Sequence, residues 1–162
     1  MAFANPHVDY AAELRALRET YAYAFPQSRL NVIRERLCPD EIGPARLVTV
    51  VSAVEALARS LAIHARARSK REVAELYAEY KHRAPVSLVE EVLHAHRHPD
   101  PSAYFAEDTW VLFKHAVEFR NLIVHECTYL GQDKYPSLIQ ATQEVLTALI
   151  KLGKLRERRA QR

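Results

Sequence analysis

The sequence predicts an all-α protein, a helical bundle with an N-terminal helical extension, on three observations. Apolar residues recur at three- and four-residue spacing through most of the chain, while strand-like alternation is nearly absent. Only 3 of 162 residues are glycine, too few for a turn-rich β architecture or a glycine-rich phosphate loop. Hydrophobic content of 49% and charged content of 27% match a globular domain with one substantial core.

A first helix is expected from about Val8 to Ala24, closed by Phe25-Pro26, and a short one from Ser28 to Cys38 before Pro39-Asp40. Residues 1–40 then read as an extension packed on a bundle of residues 44–152. After Gly43-Pro44 comes a long helix with Leu47, Val50, Val51, Val54, Leu57, Ala58, Leu61 and Ala62 as its apolar stripe. Ser69-Lys70-Arg71-Glu72 and Ser87-Leu88-Val89-Glu90 each read as a capping box opening a helix. Asp100-Pro101 is an N-cap and first-turn pair for the segment that leads to Trp110 and beyond, and Gly131 is expected to end it. Pro136 opens the last helix, which runs to about Leu152, and residues 153–162 form a basic tail.

Charge is unevenly placed. The net charge is +3, but residues 151–162 carry +5 and the rest of the chain −2, so the body is no basic nucleic-acid platform. The tail reads first as a solvated helix end whose cations suit the negative pole of the dipole, and second as an arm touching phosphates. Cys38 and Cys127 have neither metal nor redox spacing and read as small core hydrophobes, with a disulfide between them left open. No apolar run is long enough to span a membrane and no secretory signal is visible at the N-terminus, so a cytoplasmic location without membrane association is expected.

The chemistry concentrates in Phe119-Arg120-Asn121-Leu122-Ile123-Val124-His125-Glu126. This stretch places an arginine, an amide and a histidine on an otherwise apolar helix, where charge is costly unless paired or used. Leu112, Ala116, Phe119 and Ile123 make the core face; His115, Glu118, Asn121, Leu122 and His125 make its neighbour. Asn121 and His125 lie one turn apart, whereas Arg120 is about 140° around the helix from His125. One helix therefore makes an imperfect site, and two meeting about a twofold axis would supply both groups twice. Spacing alone decides nothing, because Arg59-Ser60-Leu61-Ala62-Ile63-His64 repeats it.

At Arg120-Asn121-Leu122-Ile123-Val124-His125 the chain resembles the HEPN family, whose signature is Arg, a polar residue, a short apolar spacer and His. In helix order the resemblance extends over residues 44–152. It implies a HEPN-like bundle, a homodimer with a composite cleft, and a metal-independent endoribonuclease that needs no cofactor. RNA is the implied substrate, cut by 2′-hydroxyl attack to leave a 2′,3′-cyclic phosphate and a 5′-hydroxyl. Arg120, Asn121 and His125 take the catalytic positions, and Glu118 and Glu55 the supporting ones. Glu55, which interrupts the stripe of the early core helix, is the polar residue that would orient Arg120 or His125, or else a surface glutamate at the edge of the stripe.

The resemblance also implies a toxin or defence effector with a cognate antitoxin. HEPN toxins paired with a nucleotidyltransferase carry a tyrosine two positions after the motif histidine; here that residue is Cys127, which argues against a partner of that class. The alternative function is a non-catalytic module binding a nucleotide or a protein partner through the same cleft. The plainest alternative pairs Arg120 with Glu118 or Glu126 and leaves His125 an interface histidine. Arg59 and His64 read as surface residues that can still line the RNA groove, and Arg66 and Arg68 as a solvated basic turn with phosphate contact second. His94, His96 and His98 alternate along a helix end and converge on a metal only if the helix has already stopped.

Overall fold

A computed structural model describes residues 7–37 and 39–156, and among these it contains eight helices and no strand. Helix α1 (Tyr10–Tyr23) is capped by the Asp9 carboxylate, which accepts from the Ala12 amide at 3.0 Å. Pro26 opens α2 (Pro26–Arg36), and Pro44 lies in the first turn of α3 (Gly43–Arg66). Ser69 caps α4 (Lys70–Tyr80) through the Glu72 amide at 3.2 Å, while the Glu72 carboxylate accepts from the Arg68 amide at 2.7 Å.

Three boundaries differ from expectation. Helix α5 runs Pro85–Ala95, so Ser87 lies inside its first turn and does not cap it. Two start signals compete there, and proline, whose φ is already helical and whose missing N–H costs nothing at the first position, takes precedence. Asp100 caps only the single turn α6 (Pro101–Tyr104), and the chain restarts as α7 (Thr109–Glu126). That helix stops one residue past His125, because Cys127 adopts the left-handed conformation at φ 51°. Gly131, at φ 83°, belongs to the loop before α8 (Tyr135–Leu152).

Helix α3 is the axis of the bundle and packs against α2, α4, α5, α7 and α8. Val50, Val51, Val54, Leu57 and Ala58 along it are fully buried. By length and composition α3 is apolar enough to cross a membrane, which the sequence reading did not anticipate; 67% of its most apolar window is buried inside the bundle. Leu30 and Ile33 of α2 enter the same core, whereas α1 buries no residue and packs on α4. Gly153 lets the chain turn against α3, since a Cβ there would lie 2.7 Å from Leu61 Cδ2. Beyond it the Arg156 amide donates to Gln27 at 2.8 Å, and Arg34 donates to the Arg156 carbonyl at 2.9 Å. The first residues of the basic tail are thus tied to α2; the rest of the tail, like Cys38, lies outside the described residues.

One polar cluster fixes the corner between α4 and α5. The Tyr80 ring is fully buried, its hydroxyl donates to Glu91 and accepts from Arg66, and Arg83 stacks 3.8 Å from the ring centroid. Glu91 also takes the Arg83 guanidinium. Burial, together with the hydrogen bond to Glu91, raises the Tyr80 pKa. This cluster holds Lys81 and His82 at the edge of the cavity described next.

Candidate functional site

Helix α7 reaches the bundle with Trp110, Phe113, Ala116 and Val117 buried, and this fixes the azimuth of everything that follows on it. Leu112, Phe119 and Ile123, assigned to the core face by sequence, are half-buried against the same core. Arg120 then emerges at the boundary between core and solvent, with 18% of its side chain exposed. Its Nη2 donates to Glu55 Oε2 at 2.9 Å, and its Nε is buried without a hydrogen-bond partner. Arg120 therefore pairs with Glu55 on α3, neither with Glu118 nor with Glu126.

Glu55 serves two arginines. Its other oxygen accepts from Arg59, one turn along α3, and Arg59 Nε donates to the Tyr80 carbonyl at 3.4 Å. Arg59 is a half-buried brace, so its assignment to the surface needs correction; the sequence could not reveal a partner brought by α4. His64 is also half-buried. Its Nε2 donates to the Ala24 carbonyl at 3.1 Å, and its ring lies 5.0 Å from that of Phe25. Arg66 is engaged with Tyr80 and Glu91, while Arg68 is exposed.

A cavity of about 710 Å³ opens between the α4–α5 corner and α7. Glu55, Glu118, Arg120 and Asn121 line it on the motif side. Opposite and around them stand Lys81, His82, Arg83, Lys114 and His115. Lysine and arginine outnumber carboxylates on these walls by four to two, so the cavity favours anions although the body of the chain as a whole does not. Lys81 and Lys114 are exposed and enter no ion pair among the described residues.

His125 is not part of this wall. It is exposed in the last turn of α7, beside Leu122 and Val124, which are 53% and 54% exposed. A single chain thus gathers Arg120, Asn121, Glu118 and Glu55 at one cavity and leaves His125 exposed in the last turn of α7, with Leu122 and Val124 to either side of it around the helix. Lys81, His82 and Arg83 were missed by sequence reasoning because only tertiary packing sets the α4–α5 corner across the cavity from α7, where Lys114 also stands. The pair Lys114-His115, one turn before Glu118, was the one local signal for them.

The expectation for Cys127 is corrected. Cys127 is exposed and free, not a core residue, because it ends a helix in a left-handed turn. The three alternating histidines do not converge: His96 Nδ1 donates to the Val92 carbonyl at 2.8 Å, and the His98 ring lies 4.6 Å from Tyr104. Among the described residues no group of three or more His, Cys, Asp or Glu is placed to hold a metal ion. Comparison of the chain with protein-family models, with curated proteins and with solved structures finds no match in any of the three.

Proposed function

We propose that the protein is a homodimeric, HEPN-type endoribonuclease working through Arg120, Asn121 and His125. The observation that carries this reading is the meeting of Arg120 and Asn121 in a cation-rich cavity, with Glu55 fixing the guanidinium from α3. A guanidinium and an amide at one wall are the groups needed to seat a phosphodiester and stabilise charge as it builds up on phosphorus. The exposed Leu122 and Val124 beside His125 offer the apolar surface on which a second copy would bring its own α7.

In that cleft a neutral His125 takes the 2′-hydroxyl proton as the 2′-oxygen attacks phosphorus. The bond from phosphorus to the 5′-oxygen breaks, and the imidazolium of the second copy protonates the leaving oxygen. A cyclic phosphate and a 5′-hydroxyl result, as the resemblance implies for this motif. RNA cleavage in EDTA tests the reading: wild type cuts, and Arg120→Ala and His125→Ala each lose activity at least roughly a hundredfold while keeping the wild-type circular dichroism. Full activity of His125→Ala would sink it.

A second reading has its own observation. Glu55 neutralises Arg120, and His125 lies outside the cavity, as suits a module that binds a nucleotide or a protein partner without chemistry. Wild type that binds nucleotide tightly and leaves RNA intact would establish that alternative. The toxin or defence setting, and with it an antitoxin, rests on the family resemblance alone.

A further inference from the structure

We infer that single-stranded RNA reaches the Arg120 cavity along a track that follows α4 on its α1 side, running from the Phe25–Tyr23 corner to Lys81. This rests on the proposed function for what happens at the end of the track, but the track itself is read from three adjoining cavities. The first, of about 440 Å³, lies at the N-terminal end of α4 and is lined by Tyr23, Phe25, His64, Arg68 and Lys70. The second, of about 490 Å³, shares Tyr23 with the first and extends past Arg18 to Lys81 and His82. Lys81 and His82 in turn line the cavity that holds Arg120. Tyr23 is common to the first two cavities, and Lys81 and His82 to the last two, so the three adjoin one another from the N-terminal end of α4 to the α4–α5 corner.

The chemistry of the track is that of a single-strand platform. Phe25 is 67% exposed, although it is a large aromatic residue held in place by the His64 ring beneath it. Tyr23 is 36% exposed, and the Lys70 ammonium lies 4.8 Å from its ring centroid. Exposed aromatic faces flanked by cations stack bases and hold phosphates without reading sequence. Arg18, Arg68, Lys70 and Lys81 follow the track, with Glu19 as the carboxylate among its walls. Each of these cations is exposed, and none enters an ion pair among the described residues. Helix α4 has 11 residues, about 16 Å of axis, room for roughly five stacked nucleotides. A duplex cannot use the aromatic faces, because its bases are already stacked on one another.

The experiment uses a single-stranded RNA of about ten nucleotides made uncleavable by 2′-O-methylation, its affinity for the full chain measured by fluorescence anisotropy across a salt series. Lys70→Ala should flatten the slope of log affinity against log salt by about 0.7, and Phe25→Ala should weaken binding about tenfold at fixed salt. Both variants change exposed side chains, and thermal melts matching wild type will confirm the fold. A wild type that binds this way yet cuts no RNA keeps the track and overturns only the catalytic reading. A wild type that cuts RNA with an unchanged slope in the lysine variant overturns the track and keeps the catalytic reading. Equal affinity for a duplex of the same length, equally weakened by Phe25→Ala, would also overturn it.

Discussion

An arginine is followed five positions later by a histidine twice in this chain, on α3 and on α7, and the two pairs agree in how their arginines sit and in little else. Arg59 and Arg120 are comparably exposed, at 15% and 18%, and both rest on Glu55. From there they diverge. Arg59 turns inward to the Tyr80 carbonyl, and His64 to Ala24 and Phe25, so both are committed to holding α1 and α4 against α3. Arg120 faces a cavity with an unpartnered Nε, and His125 stands in solvent one residue from the end of its helix. A spacing becomes a candidate site only where the helix carrying it leaves the core. Helix α3 stays in the core for the turn after Arg59, whereas α7 leaves it within its last two turns.

The widest separation between the pairs is expected in catalysis. At saturating RNA, Arg120→Ala and His125→Ala should each lower the single-turnover cleavage rate at least roughly a hundredfold, while His64→Ala, whatever it does to affinity, should leave that rate within about twofold. A comparable loss in His64→Ala would relocate the chemistry to the α3 end. The next effect concerns assembly. Leu122→Glu/Val124→Glu should give a monomer by light scattering and lose about tenfold or more of the activity, since one α7 cannot bring its own Arg120 and His125 together. A fully active monomer would rule out the composite cleft.

What the two pairs share can be broken as well. Glu55→Ala strands two guanidiniums, and because both keep some contact with water the expected loss is about 2 kcal/mol rather than the larger cost of a fully buried orphan charge. Urea unfolding will measure it, and Glu55→Gln should recover part of the loss. A change below about 0.5 kcal/mol would mean that Arg59 and Arg120 hold their places without the carboxylate.

The smallest effect sharpens the inward-facing pair, which leans on Tyr80. The folded-state pKa of Tyr80 is raised, so between the unfolded value near 10 and the folded one the native protein binds more protons. Its stabilising contribution is therefore complete below about pH 10 and is lost as pH climbs through the folded pKa. Tyr80→Phe should cost about 1 kcal/mol at neutral pH and remove that part of the alkaline decline. Parallel stability curves for the two proteins above pH 10 would contradict the assignment.

Much of the bundle was legible in the sequence because its signals are local. The stripe from Leu47 to Ala62 has the period of a buried helix, Ser69 and Glu72 spell a capping box, and Pro44 marks a helix start, whereas Pro26, read as the close of α1, also opens α2 two residues before the expected Ser28. Where two local signals competed, at Pro85 and Ser87, the sequence could not rank them. The end of α7 was misplaced because a cysteine, not the glycine four residues on, took the left-handed turn. At the site, Arg120, Asn121 and Glu55 were named from sequence and do meet. The cationic walls from α4 and the inward commitment of Arg59 depend on contacts between residues about 20 or more positions apart, which no periodicity encodes.

The Glu55 bridge makes Arg120 a guarded group. Its guanidinium is never empty: a carboxylate already occupies one edge, as a resident anion, and any incoming anion enters in competition with it. A weak, singly charged ion gains little by the exchange, because it offers no more than Glu55 does. A ligand with several phosphates anchored elsewhere arrives at high effective concentration and can take the free edge of the guanidinium while Glu55 leans toward Arg59. The shared carboxylate thus works as a threshold, setting how much anchoring a visitor needs before Arg120 turns to meet it.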